Sequence, residues 1–114
     1  MRVNNKVFNS MSDVSLVMAT RLGFTEAYGE LAQRYRRAVR AVVMSVIPSN
    51  EMAEDIVQDA FLVGLRSLKQ LKNPAKFASW IRAIAKNQAL RGCKETTSRF
   101  FINISDMNNH LCAV

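Results

Sequence analysis

Residues 53–90 read AEDIVQDAFLVGLRSLKQLKNPAKFASWIRAIAKNQAL, and their periodicity decides the fold. Ala53, Ile56, Val57, Ala60, Phe61, Gly64, Leu68 and Leu71 recur at steps of three and four, which places them on one face of a helix. Across from them stand Glu51, Asp55, Gln58, Asp59, Leu62 and Arg66. Leu62 sits in the middle of that polar face, with acids N-terminal to it and no base before Arg66. Two readings are open. An apolar residue ringed by carboxylates and an amide suits docking to a basic partner. A solvated face whose acids favour the helix N-terminus carries the same residues with no partner at all.

The second half of the stretch differs in character. Phe77, Trp80, Ile81, Ile84, Ala85 and Gln88 share a face, Arg82 and Lys86 point away from it, and Asn87 lies on its edge. From Lys76 to Arg99 six basic residues stand against the single acid Glu95, so a basic helix follows an acidic one. Lys72, Asn73 and Pro74 break the pattern between them and mark a short loop. Phe77 and Trp80 have the spacing of core aromatics, although exposed bases could also stack on them.

Working upstream, Pro48 ends a helix because it lacks the N–H donor and disfavours the α conformation in Ile47. Asn50 is then the expected N-cap of the acidic helix, with Glu51, Glu54 and Asp55 in its first turn. The helix before Pro48 runs from a Thr25 cap to about Ile47, and packing must hold its β-branched tail. Tyr28, Leu31, Ala32, Tyr35, Val39, Val42, Val43 and Val46 form its apolar face. Its arginines, Arg34, Arg36, Arg37 and Arg40, suit either phosphate contacts or a solvated basic face. A short helix capped by Ser12 or Asp13 precedes it and ends at Gly23. The expected organisation is a flexible N-terminus (1–11), one helical domain (12–94) and a C-terminal tail of undefined structure (95–114), in which 100–104 could form a strand or 104–111 a helical turn. The fold class is all-α: a compact bundle of three main helices plus a short N-terminal helix.

The chain has 114 residues, enough for one modest helical core. Sixteen Lys and Arg against nine Asp and Glu give a net charge of +7, which points to a polyanion, nucleic acid or an acidic membrane surface. No apolar run is long enough to span a bilayer, and the N-terminus lacks the pattern of a secretory signal. Cys93, Cys112 and the lone His110 have no metal-ligand spacing, so neither a zinc site nor a disulfide framework is expected, in keeping with the cytoplasm. No glycine-rich phosphate loop, apolar acid pair or histidine beside a nucleophile suggests an enzyme, and no cofactor is implied.

AEDIVQDAF, a spacer and FASWIRAIAKNQAL together resemble region 2 of bacterial RNA polymerase sigma factors of the extracytoplasmic-function (ECF) type. The resemblance extends upstream through FTEAYGELAQRYRRAVRAVVMSVIPSNEMAED and covers about residues 12–94. It implies a transcription initiation factor whose acidic helix docks on the clamp helices of the beta prime subunit of core RNA polymerase, here through Asp55, Gln58, Asp59 and Leu62. It further implies that the loop and basic helix recognise and melt the promoter minus-ten element as single-stranded DNA. The matching residues are Asn73, Lys76, Arg82, Lys86, Asn87 and Arg91, with Asn87 the base reader. An anti-sigma factor is a further implied partner, and a membrane is not. Three features depart from the family pattern: the chain stops before a minus-thirty-five-reading domain could fit, Gly92 and Cys93 favour an early end to the basic helix, and the tail is unfamiliar. A sigma-like adaptor without promoter activity and a non-specific nucleic-acid-binding module therefore stay open beside the main reading.

Overall fold

Local signals in the sequence set the helix boundaries of the computed structural model, which describes the backbone of residues 5–100 and the side chains of residues 7–93. Among the described residues five α-helices follow one another: α1 (Asn5–Asn9), α2 (Asp13–Arg21), α3 (Thr25–Met44), α4 (Asn50–Arg66) and α5 (Phe77–Phe100). Two single turns of 3-10 helix, Leu68–Gln70 and Pro74–Lys76, join the last two. Among the described residues there is no strand.

The Ser12 hydroxyl accepts the Ser15 N–H at 3.1 Å and so satisfies a donor that the first turn of α2 leaves unpaired. Gly23, with φ at 106°, turns the chain out of that helix in a conformation that costs a glycine little. Two expected caps shift by one residue. Phe24, with no side-chain bond, precedes α3 in place of Thr25. Ser49 rather than Asn50 caps α4, accepting the Met52 N–H at 3.4 Å. The α3 helix ends at Met44, before the expected Ile47, although Ile47 still donates its N–H to the Val43 carbonyl at 2.8 Å.

The apolar stripes of α3, α4 and α5 meet in one core. Leu31, Val39 and Val43 of α3, Val57 and Ala60 of α4, and Phe77, Ile81, Ala85 and Ala89 of α5 are all fully buried. Phe77 stands at the centre of an aromatic group, with Tyr28, Tyr35 and Trp80 ring centroids 6.1, 5.8 and 5.9 Å away. Leu68 and Leu71 keep their buried places, but after α4 has ended, Leu68 in the 3-10 turn and Leu71 just past it. Helices α4 and α5 run antiparallel, because a Cβ on Gly64 would meet Ile81 and Trp80 while one on Gly92 would meet Ile56.

Three features differ from the sequence reading. Part of the segment taken as a loose N-terminus is helical, with Phe8 of α1 buried in the core. The basic helix does not stop near Gly92 but continues to Phe100, into the segment expected to be tail. A Cβ at Gly92 would lie 3.1 Å from Ile56 Cδ1, so the glycine permits close packing on α4 rather than ending the helix. Cys93, buried on the same helix, is disulfide-bonded, against the expectation of unlinked cysteines. Residue 100 is helical, and the alternatives of a strand or a turn beyond it lie outside the described residues.

Candidate functional site

Burial of Ile56, Val57, Ala60, Phe61 and Gly64 turns the opposite face of α4 to solvent. Asp55, Gln58 and Asp59 are exposed there, and their side chains make no hydrogen bond or ion pair with the described residues. Leu62 is 45% exposed among them. Glu54, next to Asp55 in sequence, behaves differently. It points to α3, where it pairs with Arg36 at 2.6 Å and also with Arg40.

The arginines of α3 are largely committed inside the molecule. Arg34 bonds Glu30 at 3.0 Å and Asp13 at 3.1 Å, and donates to the Phe8 and Asn9 carbonyls that end α1. Burial opposes its charge, but Glu30 and Asp13 outweigh that and hold the guanidinium pKa above its ordinary value. Asp13 also accepts the Tyr35 hydroxyl, whose pKa burial and that carboxylate together raise. Of the four arginines that could have met phosphates, only Arg37 is exposed without a partner among the described residues.

The loop and α5 present the basic surface. Asn73, Lys76, Arg82, Lys86, Asn87 and Arg91 are all exposed. Asn73 already serves the fold, since its Oδ1 accepts the Ala75 N–H at 3.1 Å and caps the turn that Pro74 begins and that runs straight into α5. The six residues do not converge on one spot. Asn87 and Arg91 line a groove of about 510 Å³ between α4 and α5, with Val63, Ile84, Gln88 and Leu90. Arg82 lies on the other flank, close enough to the Tyr35 hydroxyl of α3 for its charge to act there. Asn87 stands five positions further along the helix, a rotation of roughly 140°. Lys86 lies between the two flanks.

Two residues near this surface escaped the sequence reading. Gln88, read as part of the apolar face, lines the groove instead and is only half-buried. Arg21, in the last turn of α2, donates from Nη2 to the Leu68 carbonyl at 3.0 Å and to the Leu71 carbonyl. It is 47 and 50 positions away from them in sequence, and no local pattern signals such a contact. Among the described residues no cluster of His, Cys, Asp and Glu could hold a metal ion, and no helix is long and apolar enough to cross a membrane.

Known proteins supply an independent comparison. The probable RNA polymerase sigma factor RfaY of Xanthomonas campestris is 36% identical over 67 residues, 59% of this chain and 17% of that protein. The ECF RNA polymerase sigma-E factor of Escherichia coli K12 is 32% identical over 79 residues, 69% of this chain and 41% of its own length. The RNA polymerase sigma-H factor of Pseudomonas aeruginosa is 26% identical over 77 residues, 68% of this chain and 40% of that protein. The chain thus spans about two fifths or less of these relatives. No solved structure matches it. The profile of Sigma-70 region 2 matches residues 31–99, which takes in most of α3, all of α4 and nearly all of α5. With an all-helical fold, relatives named as sigma factors and one of them named as an ECF factor, the chain belongs to the Sigma-70 region 2 family, in its ECF type, a family of transcription initiation factors and not of enzymes.

Proposed function

We propose that this domain acts in transcription initiation by docking on core RNA polymerase through α4 and holding the single-stranded minus-ten element through residues 71–79, which run from the loop into the first turn of α5, and through the rest of α5. The observation that carries the reading is the outward face of α4: an exposed Leu62 among Asp55, Gln58 and Asp59, none of which is spent on the fold. On this reading the acids and the amide pair with basic and polar groups on the beta prime clamp helices, and Leu62 fills an apolar notch between them.

The DNA half of the proposal follows from opposite charge on the neighbouring helix. Melted DNA exposes base edges, and the Asn87 amide both donates and accepts there, beside a groove with apolar walls. Lys76, Arg82, Lys86 and Arg91 neutralise phosphates along the strand, and Lys86 bridges the two flanks of α5. No bond is made or broken. Opening must draw on binding energy, and unstacking a base costs a few kcal/mol, the scale of a few good base and phosphate contacts.

Reversing charge at Asp55 and Asp59 tests the docking half. Neither side chain holds another described residue, so Asp55→Lys with Asp59→Lys should preserve the helical signal and lose co-purification with core polymerase. Unchanged co-purification would remove the docking face. Retained polymerase binding without any DNA binding would mark an adaptor. DNA binding with steep salt dependence and no sequence preference would mark a non-specific module.

A further inference from the structure

We infer that Arg21 is a positioning residue for DNA recognition: it anchors the start of the 71–76 loop to α2 and so holds Asn73 and Lys76 in the geometry that meets the strand. The inference rests on the DNA reading above. Arg21 Nη2 reaches two carbonyls of the turn after α4, those of Leu68 and Leu71. The side chains of both leucines are buried, so these carbonyls sit at the edge of the core. The Leu68 carbonyl also accepts the Leu71 N–H at 3.1 Å, which closes the 3-10 turn. Leu71 then leaves in an extended conformation, with ψ at 103°, and sets the direction of Lys72 and Asn73.

Only Lys72 separates this anchored end from the Asn73 cap. Beyond it the chain is fixed again: Asn73 Oδ1 holds the Ala75 N–H, the Asn73 carbonyl holds the Lys76 N–H at 2.8 Å, and α5 begins at Phe77. Arg21 therefore fixes where the loop starts, and Asn73 fixes its shape. Helix α2 is itself a rigid support, capped by Ser12 and tied to α3 through Asp13, Arg34 and Tyr35. A planar guanidinium suits this anchoring, because it presents several donors in one fixed fork where a lysine offers a flexible point charge. A loop held ready for its ligand avoids the ordering cost that a mobile one incurs on binding.

The test uses the whole 114-residue chain and the strand that the wild type enriches from a randomised pool of short single-stranded DNA. Arg21→Met keeps the apolar stem and removes the donors. If the loop then spends about a tenth of its time in the competent geometry, affinity for the enriched strand falls roughly 10-fold. Affinity for a composition-matched scramble and co-purification with core polymerase stay unchanged, and hydrogen exchange of the 71–77 amides speeds up. Arg21→Lys recovers part of the loss. Equal losses for both strands, or a parallel loss of polymerase, would show that Arg21 merely holds the fold, and unchanged exchange would overturn the anchor itself. A wild type that enriches no strand would overturn the DNA reading instead, a failure that the exchange measurement separates from failure of the anchor.

Discussion

Replacing Gly64 by alanine measures how closely α4 and α5 must approach. A Cβ built at Gly64 lies 2.7 Å from Ile81 Cδ1 and 2.7 Å from the Tyr28 hydroxyl, closer than such atoms can stand. Neither neighbour can yield cheaply. Ile81 is fully buried, and the Tyr28 hydroxyl donates to the Phe61 carbonyl, which ties α3 to α4. Overpacking of this kind costs about 1–3 kcal/mol, and a displaced tyrosine hydroxyl forfeits about 1 kcal/mol more. Against this, alanine improves helix propensity by about 1 kcal/mol over glycine. The balance is a net loss of roughly 1–3 kcal/mol. At 4–8 °C per kcal/mol for a domain of this size, the midpoint of thermal unfolding should fall by roughly 5–20 °C, read by circular dichroism. Ile81→Val removes the Cδ1 atom that clashes, so Gly64→Ala with Ile81→Val should lose less than the two single changes together. A Gly64→Ala chain that melts higher than wild type would refute the reasoning, since that is the result for a helix glycine with open space around it.

Two further outcomes test other parts of the molecule. Burial raises the Tyr28 pKa well above its ordinary value, so the folded state keeps a proton that the unfolded state gives up. Stability is therefore fully present below about pH 10 and declines above it; Tyr28→Phe should flatten that decline in urea titrations and cost about 1 kcal/mol at neutral pH. Asn87→Ala should weaken binding of the enriched single strand more than binding of its scramble, in fluorescence titrations at fixed salt, because a base contact carries sequence information and a phosphate contact does not. Equal losses would mean that Asn87 reads no base.

Periodicity made the bundle legible because burial follows it. The stripe from Ala53 to Gly64 and the one from Phe77 to Ala85 are the faces that meet, and Phe77 sits at the aromatic centre that its spacing suggested. What stayed hidden involved a second helix. Gly92 reads as a stop in one dimension, yet opposite Ile56 it becomes the point where two helices approach closely. Phe8 lies in a helix of only five residues, too short to display a period, and its burial depends on α3 being beside it. The cap of α4 moved by one residue for a milder reason: serine and asparagine are near-equal N-caps, so Ser49 and Asn50 could not be separated by propensity.

The candidate site divided along the same line. Its residues were legible because exposure follows from facing away from the stripe, but the competition for their charges was not. The net charge of +7 suggests basic residues free to bind a polyanion wherever they cluster, and α3 offers the densest cluster. Folding withdraws most of it, since Asp13, Glu30 and Glu54 take Arg34, Arg36 and Arg40. Those same pairings remove acids that would otherwise have offset the bases of α5. Of the unpaired charges on the last two helices, α4 carries Glu51, Asp55 and Asp59 with Arg66 in its last turn, and α5 carries Arg82, Lys86 and Arg91. A domain that used charge only for solubility would gain nothing from this sorting. Two adjacent helices with outward faces of opposite sign are what simultaneous contact with a basic protein surface and a nucleic acid strand requires. The internal ion pairs of α3 thus shape the site as much as the exposed residues do, by deciding which charges remain to be used.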